Sequence, residues 1–186
     1  EQAAGRKEGS VRLLAATKTR DVGEIMAAID AGIRMIGENR PQEVQVKAPG
    51  LLRLAAERGF ALGVGGDATA DASNAAASNT AAATNGTIPF HLIGQLQSNK
   101  IGKILPFVDT IESVDSIELA EKIARRAVMR GITVGVLLEV NESGEASKSG
   151  CPASHAIDLA QRIGNMGGLQ LQGLMTIGAH VSDETT

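Results

Sequence analysis

The chain has 186 residues, of which 43% are hydrophobic, and its formal net charge is −3. This length and composition predict one globular domain with enough apolar side chains for a sizeable core. Lysine plus arginine (18) nearly balance aspartate plus glutamate (21), and the two signs are interspersed, which argues against a nucleic acid as partner.

Two absences in the sequence bear on the compartment in which the protein works. Cys151 is the only cysteine, so no disulfide can form within the chain, and this suits a reducing compartment. No stretch approaches the roughly 20 apolar residues that span a membrane, and residues 1–10 lack the apolar core of a signal peptide. We therefore expect a cytoplasmic protein with no membrane partner.

Six apolar runs typical of strands alternate with helix-like stretches. This alternation predicts an α/β fold with a parallel sheet and crossover helices. An open doubly wound sheet and a barrel both fit the alternation, although no G-x-G-x-x-G follows the first run, which disfavours a dinucleotide-binding sheet. The runs are VRLLAATKT (11–19), IRMIGEN (33–39), IPFHLIGQL (88–96), VDTIESV (108–114), ITVGVLLEV (132–140) and LQLQGLMTIG (169–178).

Helix signals are specific at two places between these runs. Asp21 with Glu24, and Asp115 with Glu118, form capping-box patterns, and a glycine supplies the stop after each of the two helices. A third helix begins near Pro41. Because a proline and a glycine at 49–50 interrupt that helix, we expect it to be broken or in two parts.

Residues 62–87 differ in composition from the rest of the chain. They are Gly, Ala, Ser, Thr, Asn and Asp with almost no large apolar side chain. Such a segment cannot bury enough surface to offset the entropy lost on ordering. We therefore expect a flexible surface insertion within the domain.

In a parallel barrel, the active face collects the residues at the carboxyl ends of the strands. Residues at these positions are therefore candidates for the site. They are Lys18, Glu38, Asn39, residues 94–97, Ser113, Glu139, Asn141 and residues 176–178.

Lys18 is the candidate reactive residue among them. Alternation along the first run places it on the same face as Leu14 and Ala16. If that face points into a barrel, the amine stands among apolar walls, where a lysine gives up its proton more readily. A neutral amine can attack a carbonyl to form a Schiff base. The local pattern leaves open a lysine that only extends from a strand end into solvent.

A set of longer motifs occurs in one order along the chain. In sequence and order they resemble the YggS/PROSC family of pyridoxal 5′-phosphate (PLP) homeostasis proteins, and the resemblance covers the chain apart from residues 62–87. The motifs are LLAATKT (13–19), GEN (37–39), FHLIGQLQSNK (90–100), IESVDS (111–116), NESGEASKSG (141–150) and GLMTIG (173–178).

This resemblance implies a (β/α)8 TIM-type barrel of the alanine racemase N-terminal domain type. About six βα units of that barrel fall within residues 1–186, which would form a single PLP-binding domain that is incomplete at its C-terminus. The family's phosphate-binding serine and glycine turn follow the last motif in further strands. We therefore expect the phosphate-binding residues to lie beyond Thr186.

The resemblance also implies roles for individual residues. PLP would be held as a Schiff base on Lys18, Asn39 would approach the cofactor ring or its substituents, and Met175 could pack against the ring. His91 belongs to a family-like motif and is a candidate cofactor contact. Three structural alternatives stay open: a helix cap for Asn39, ordinary core for Met175, and a hydrogen-bonded core histidine for His91.

The function that the resemblance implies is a carrier that sets the supply of PLP without robust turnover. PLP-dependent apo-enzymes are then candidate partners, and we expect a monomer. The alternative is a PLP-dependent amino-acid racemase, but alanine racemase uses a tyrosine as its second base and this chain contains none. A lysine-dependent aldolase without a cofactor is a third hypothesis. No histidine or cysteine spacing predicts a metal site.

Overall fold

The computed structural model describes residues 1–64, 85–145 and 147–178. The helices in these ranges are α1 (Val22–Asp30), α2 (Pro41–Glu57), α3 (Ile101–Ile104), α4 (Ile117–Met129) and α5 (Ala156–Gly164). The strands are β1 (Ala15–Ala16), β2 (Ile36–Glu38), β3 (Ala61–Leu62), β4 (Thr87–Ile88), β5 (Phe90–Leu92), β6 (Thr110–Val114), β7 (Val134–Asn141), β8 (Cys151–Pro152) and β9 (Leu169–Met175).

Six parallel strands form the main sheet, in the order β1-β2-β5-β6-β7-β9, and β8 pairs with the end of β7. Each of the six lies beside the one before it, so the sheet winds in a single direction, as a barrel does, without the switch point of a doubly wound sheet. The predicted α/β fold with six βα-type strands is confirmed. Within the described ranges, the outer edges of β1 and β9 have no strand partner.

The core lies between the outer face of this arc and the helices that cover it. Val136 and Leu138 of β7 are fully buried, as are Leu51 of α2 and Ile123 of α4. Successive residues of a strand point to opposite faces. The apolar residues of β7 on the helix side therefore alternate with residues that face the inside of the arc. The carboxyl ends of the strands are thereby held at one rim.

Two strands are shorter than predicted. The first run forms only β1, and Leu13, which lies before it, is 73% exposed because β1 is an edge strand. The third run is divided at Pro89, which has no N–H to donate to a strand ladder. Ile88 therefore pairs with Leu62 in a separate two-stranded sheet, and Phe90 begins β5.

The starts of α1 and α4 follow from local sequence. Both hydrogen bonds of the α1 capping box form: the Glu24 N–H donates to Asp21 Oδ1 (2.8 Å) and the Asp21 N–H donates to Glu24 Oε2 (2.9 Å). α4 begins one residue later than predicted, because Ser116 rather than Asp115 is its cap and accepts from the Leu119 N–H.

The predicted break in α2 is wrong. α2 continues from residue 41 to residue 57 with Pro49 inside it. An internal proline removes one helical hydrogen bond, and here the flanking residues Ala48 and Leu51 are fully buried in the core, which keeps the helix docked across that position.

Among the helices of the described residues, none is long and apolar enough to cross a membrane.

Both ends of the predicted insertion, residues 62–87, are part of the folded domain. Leu62 is fully buried, and it pairs with Ile88 in the sheet formed by β3 and β4. The Asn85 side chain donates to the Arg58 carbonyl at 2.8 Å, so this edge of the segment is also tied to the domain. The prediction of a flexible segment falls otherwise on residues 65–84, which lie outside the described residues.

Candidate functional site

Lys18 lies two residues after the end of β1, at the carboxyl-end rim. β1 ends at Ala16, and residues 17–20 form a turn closed by the Arg20 N–H, which donates to the Thr17 carbonyl at 3.1 Å. Lys18 is exposed and makes no hydrogen bond or ion pair with a described residue. The expectation of apolar walls around its amine is therefore wrong for the part of the chain that the structure describes, because β1 is an edge strand there.

Asn39 lies at the same rim, after the neighbouring strand β2. Ala16 is paired with Gly37 in the parallel register, so two further residues on each strand bring Lys18 and Asn39 to the same level. The cap of α2 is Arg40, and no side chain caps the helix. Asn39 is therefore not a helix cap, and its side chain is exposed at the rim.

A pocket of about 540 Å³ opens at this rim. It contains three cationic side chains and one carboxylate, so it can contact both charged and neutral parts of a ligand. Lys18 itself does not line the pocket. The lining residues are Asn39, Arg40, Pro41, Gln42, Ile93, Gly94, Gln95, Gln97, Lys100, Glu139, Ser147, Lys148, Ser149 and Ile177.

Gly94 fits closely against Asn39 at the wall of this pocket. A Cβ atom on Gly94 would collide with the Asn39 carbonyl oxygen and would lie 2.8 Å from Asn39 Oδ1. The Ser113 hydroxyl donates to the Gly94 carbonyl at 2.7 Å, and Ser113 is fully buried. The absence of a side chain at residue 94 thus allows the ends of β2 and β5 to meet, and it places Asn39.

Glu139 supplies a shielded carboxyl to the pocket. Its side chain is at the end of β7 and only 2% of the residue is exposed. The Gln95 side-chain amide donates to Glu139 Oε2 at 2.7 Å. Burial raises the pKa of Glu139 above its ordinary value, and the negative charge of Asp115 acts in the same direction.

Replacing Glu139 by glutamine should remove a pH-dependent loss of stability. Because the pKa of Glu139 is raised in the folded chain, its stabilising contribution is fully present below the unfolded pKa and is lost as the pH rises through the folded pKa. We expect Glu139→Gln to melt about 2–4 °C above the wild type at neutral pH and at the same temperature in acid. Melting curves from acid to neutral pH test this, and a difference independent of pH would contradict it.

Glu38 ends β2, as predicted, but its side chain does not reach the pocket. It is fully buried on the helix side of β2, where its Oε1 accepts from the Thr17 hydroxyl and from Lys47 of α2, both at 2.7 Å. The neighbouring Gly37 occupies the opposite face, since successive strand residues alternate.

Met175 and Asn141 both lie at the rim near the pocket. Met175 is half-buried at the end of β9 and is paired with Glu139, and parallel neighbours in register point to the same face. Asn141 accepts from the Gly144 N–H at 3.0 Å and donates to the Lys148 carbonyl at 3.3 Å. Asn141 thus organises the polar loop that brings Lys148 to the pocket.

His91 lies lower in the arc, away from the pocket. It is 8% exposed and is paired with Gly37 and Thr110 in the sheet. Its Nδ1 is 2.6 Å from Glu112 Oε1 and its Nε2 is 3.5 Å from Asp109 Oδ1. This arrangement favours the alternative of a hydrogen-bonded core histidine.

The sequence analysis did not identify two cations that line the pocket and one that lies near it. Arg40 and Lys100 line the pocket without an ion pair to a described residue, and Lys47 lies beneath the Lys18 turn. For Lys47, one signal was available: Glu43 and Lys47 are four residues apart on α2, a spacing that brings side chains together. No sequence pattern predicted that Arg40 and Lys100 approach the same pocket.

Comparison with known proteins assigns the family. Residues 2–186 match the family described as "Alanine racemase, N-terminal domain". The chain belongs to this family. It is 33% identical over 183 residues to a pyridoxal phosphate homeostasis protein of Vibrio alginolyticus, with 98% of this chain and 66% of that protein covered. It is 32% identical over 176 residues to one of Pseudomonas aeruginosa, covering 95% of this chain and 63% of that protein.

Several solved structures are similar in fold to this chain. A Bifidobacterium adolescentis protein described as unknown is 72% identical, with a TM-score of 0.87, over 100% of this chain and 66% of that one. PipY of Synechococcus elongatus, solved with PLP bound, is 28% identical with a TM-score of 0.65. The match covers 95% of this chain and 68% of PipY. An alanine racemase of Clostridium difficile is 14% identical with a TM-score of 0.63. The match covers 94% of this chain and 39% of that one, and it shows the fold alone. The chain spans about 66% of the length of its first relatives.

Proposed function

We propose that the protein binds PLP covalently on Lys18 and acts in PLP homeostasis. The observation that carries this proposal is the place of Lys18: an exposed amine at the carboxyl end of β1, level with Asn39 on the next strand. Relatives over nearly the whole chain are named pyridoxal phosphate homeostasis proteins, and the PipY structure holds PLP. These findings support the same cofactor here.

The residues at the rim fit this cofactor. The Lys18 amine can attack the PLP aldehyde carbon, so that a C=N bond forms and the carbonyl oxygen leaves as water, with no oxidant consumed. When bound, PLP supplies an electron sink for reactions of amines. Asn39 offers an amide at the rim, and Met175 offers an apolar surface on the inner face of β9. Gly94 leaves room where a side chain would displace Asn39.

We place the protein among carriers of PLP rather than racemases. Racemisation needs a second base on the opposite face of the cofactor, and these 186 residues contain no tyrosine to supply the one that alanine racemase uses. The likeness to alanine racemase is at 14% identity and concerns the fold. The relatives at about 30% identity carry the homeostasis name.

The proposal extends to the setting in which the carrier works. We propose a monomeric, cytoplasmic protein that passes PLP to PLP-dependent apo-enzymes, with residues 1–186 as one cofactor-binding domain. The single cysteine supports a reducing compartment. We propose that the phosphate-binding residues lie outside residues 1–186.

Reduction and peptide mapping test the covalent site. The whole protein is incubated with PLP, the Schiff base is reduced with borohydride, and the modified lysine is found by mass spectrometry. We expect one equivalent of PLP on Lys18. An adduct confined to another lysine, such as Lys148, or no adduct, would overturn the proposed site. Incubation with single amino-acid enantiomers and chiral analysis then tests the carrier role, because steady racemisation would contradict it.

A further inference from the structure

Lys47 makes three short polar contacts directly beneath the Lys18 turn. Its Nζ lies 2.9 Å from the Thr17 carbonyl oxygen, 2.7 Å from Glu38 Oε1 and 2.9 Å from Glu43 Oε2. The Lys47 side chain is only 11% exposed. An ammonium group has three donors, so these three acceptors satisfy it completely.

The turn that Lys47 contacts has a strained backbone. The Thr17 carbonyl accepts from both Lys47 and the Arg20 N–H, which makes Lys18 and Thr19 the central residues of a four-residue turn. Thr19 has φ +64°, a conformation that β-branched residues seldom adopt. Such strain persists only where the surrounding structure holds it.

Two carboxylates complete the contacts to this turn. The Thr17 hydroxyl donates to Glu38 Oε1 at 2.7 Å, and the Thr19 N–H points to Glu43 Oε2 at 3.4 Å. Glu38 Oε2 is buried and has no hydrogen-bond partner among the described residues. Burial raises the pKa of Glu38, whereas the hydrogen bond from Lys47 lowers the pKa of Glu43. A buried carboxyl with an unsatisfied oxygen lowers the stability of a fold, so stability does not explain why Glu38 is placed here.

We propose that Lys47 is a positioning residue for Lys18. Together with Glu38 and Glu43, it holds the turn at residues 17–20 in its strained form, so that the Lys18 amine is presented in one direction at the rim. This inference rests on the proposed function, in which Lys18 is the anchor for PLP. A purely structural role would only dock α2 against β1 and β2.

Two variants and one control separate these roles. Lys47→Met keeps the aliphatic stem and removes the ammonium group. Glu43→Gln is milder, because its side chain is 24% exposed, and it weakens the contacts to Lys47 and Thr19. Arg53→Met is the control, since Arg53 is on the same helix in an exposed pair with Glu57.

The measurements report on the turn with and without PLP. In the cofactor-free protein, amide hydrogen exchange at Arg20 reports whether its bond to the Thr17 carbonyl is held. In the loaded protein, the visible absorption gives the Kd for PLP. The circular dichroism of the same band, per bound cofactor, reports whether the cofactor has one fixed orientation.

We expect Lys47→Met to increase the exchange rate at Arg20 and the Kd for PLP by about tenfold each, because charge-assisted hydrogen bonds to the turn are lost. The dichroism per bound cofactor should fall. We expect about threefold changes for Glu43→Gln and none for Arg53→Met.

A folded Lys47→Met protein with wild-type exchange at Arg20 and wild-type Kd would overturn the inference, even if its melting temperature fell. If Lys47→Met does not fold, Glu43→Gln decides in the same way. If the wild type forms no Schiff base on Lys18, the proposed function fails, and the exchange rates in the cofactor-free variants still decide whether Lys47 holds the turn.

Discussion

Lys18→Ala should abolish the visible absorption that PLP gives when it is bound to the whole protein. The alanine side chain has no amine, so no Schiff base can form at the end of β1. Because Lys18 is exposed and makes no hydrogen bond with a described residue, the fold should be unaffected, with the free energy of unfolding within about 0.5 kcal/mol of the wild type. Absorption spectra and melting curves measure the two effects separately.

Lys122→Ala is the matched control for this experiment. Lys122 is an exposed lysine on α4, away from the strand ends. We expect its variant to keep the wild-type spectrum and the wild-type Kd. A visible band that persists in Lys18→Ala and can be reduced by borohydride would refute the assignment of the anchor, because another lysine would then carry the cofactor.

Gly94→Ala should both destabilise the protein and weaken PLP binding. The added Cβ would collide with the Asn39 carbonyl oxygen, which is backbone and cannot turn aside as a flexible side chain would. The Ser113 hydroxyl donates to the Gly94 carbonyl at 2.7 Å, which restrains the backbone at residue 94. We expect a loss of about 1–3 kcal/mol in the free energy of unfolding, as for other overpacking substitutions. Chemical denaturation and a PLP titration measure the two effects.

The same substitution at Gly164 provides the control. Gly164 ends α5, and apart from its chain neighbours and the nearby backbone of its own helix, no described atom lies within 4 Å of an added Cβ. Replacing a helical glycine by alanine stabilises a helix by up to about 1 kcal/mol, so Gly164→Ala should be neutral or slightly stabilising. Equal effects at the two glycines would contradict the argument that the contact between Gly94 and Asn39 shapes the site.

Much of the fold follows from local sequence because it depends on short-range physics. The alternation of apolar runs predicted six parallel strands, and Asp21 with Glu24 predicted the start of α1 through hydrogen bonds three residues apart. The prediction failed at Pro49. The local rule predicted a helix break there, but the helix continues because the residues that flank Pro49 are buried in the core. The packing that outweighed the local rule involves residues distant in sequence.

The candidate site was only partly predictable for the same reason. The strand-end rule and the family motifs selected Lys18, Asn39 and Glu139, which lie at the rim. They also selected Glu38, which faces the helix side. A strand-end position indicates the level of a residue along the barrel axis, but it does not show which side chain from another element will meet it.

The sequence alone predicts the six strands of the main sheet, the lysine that follows β1 and the family to which the chain belongs. Those properties depend on residue type, periodicity and motif. Only the folded chain shows that Lys18 is exposed, that Gly94 lies against Asn39, and that Lys47 contacts the turn at residue 17 across 30 residues of chain. Such contacts arise when separate elements pack together, and their distances follow from the packing of the whole domain.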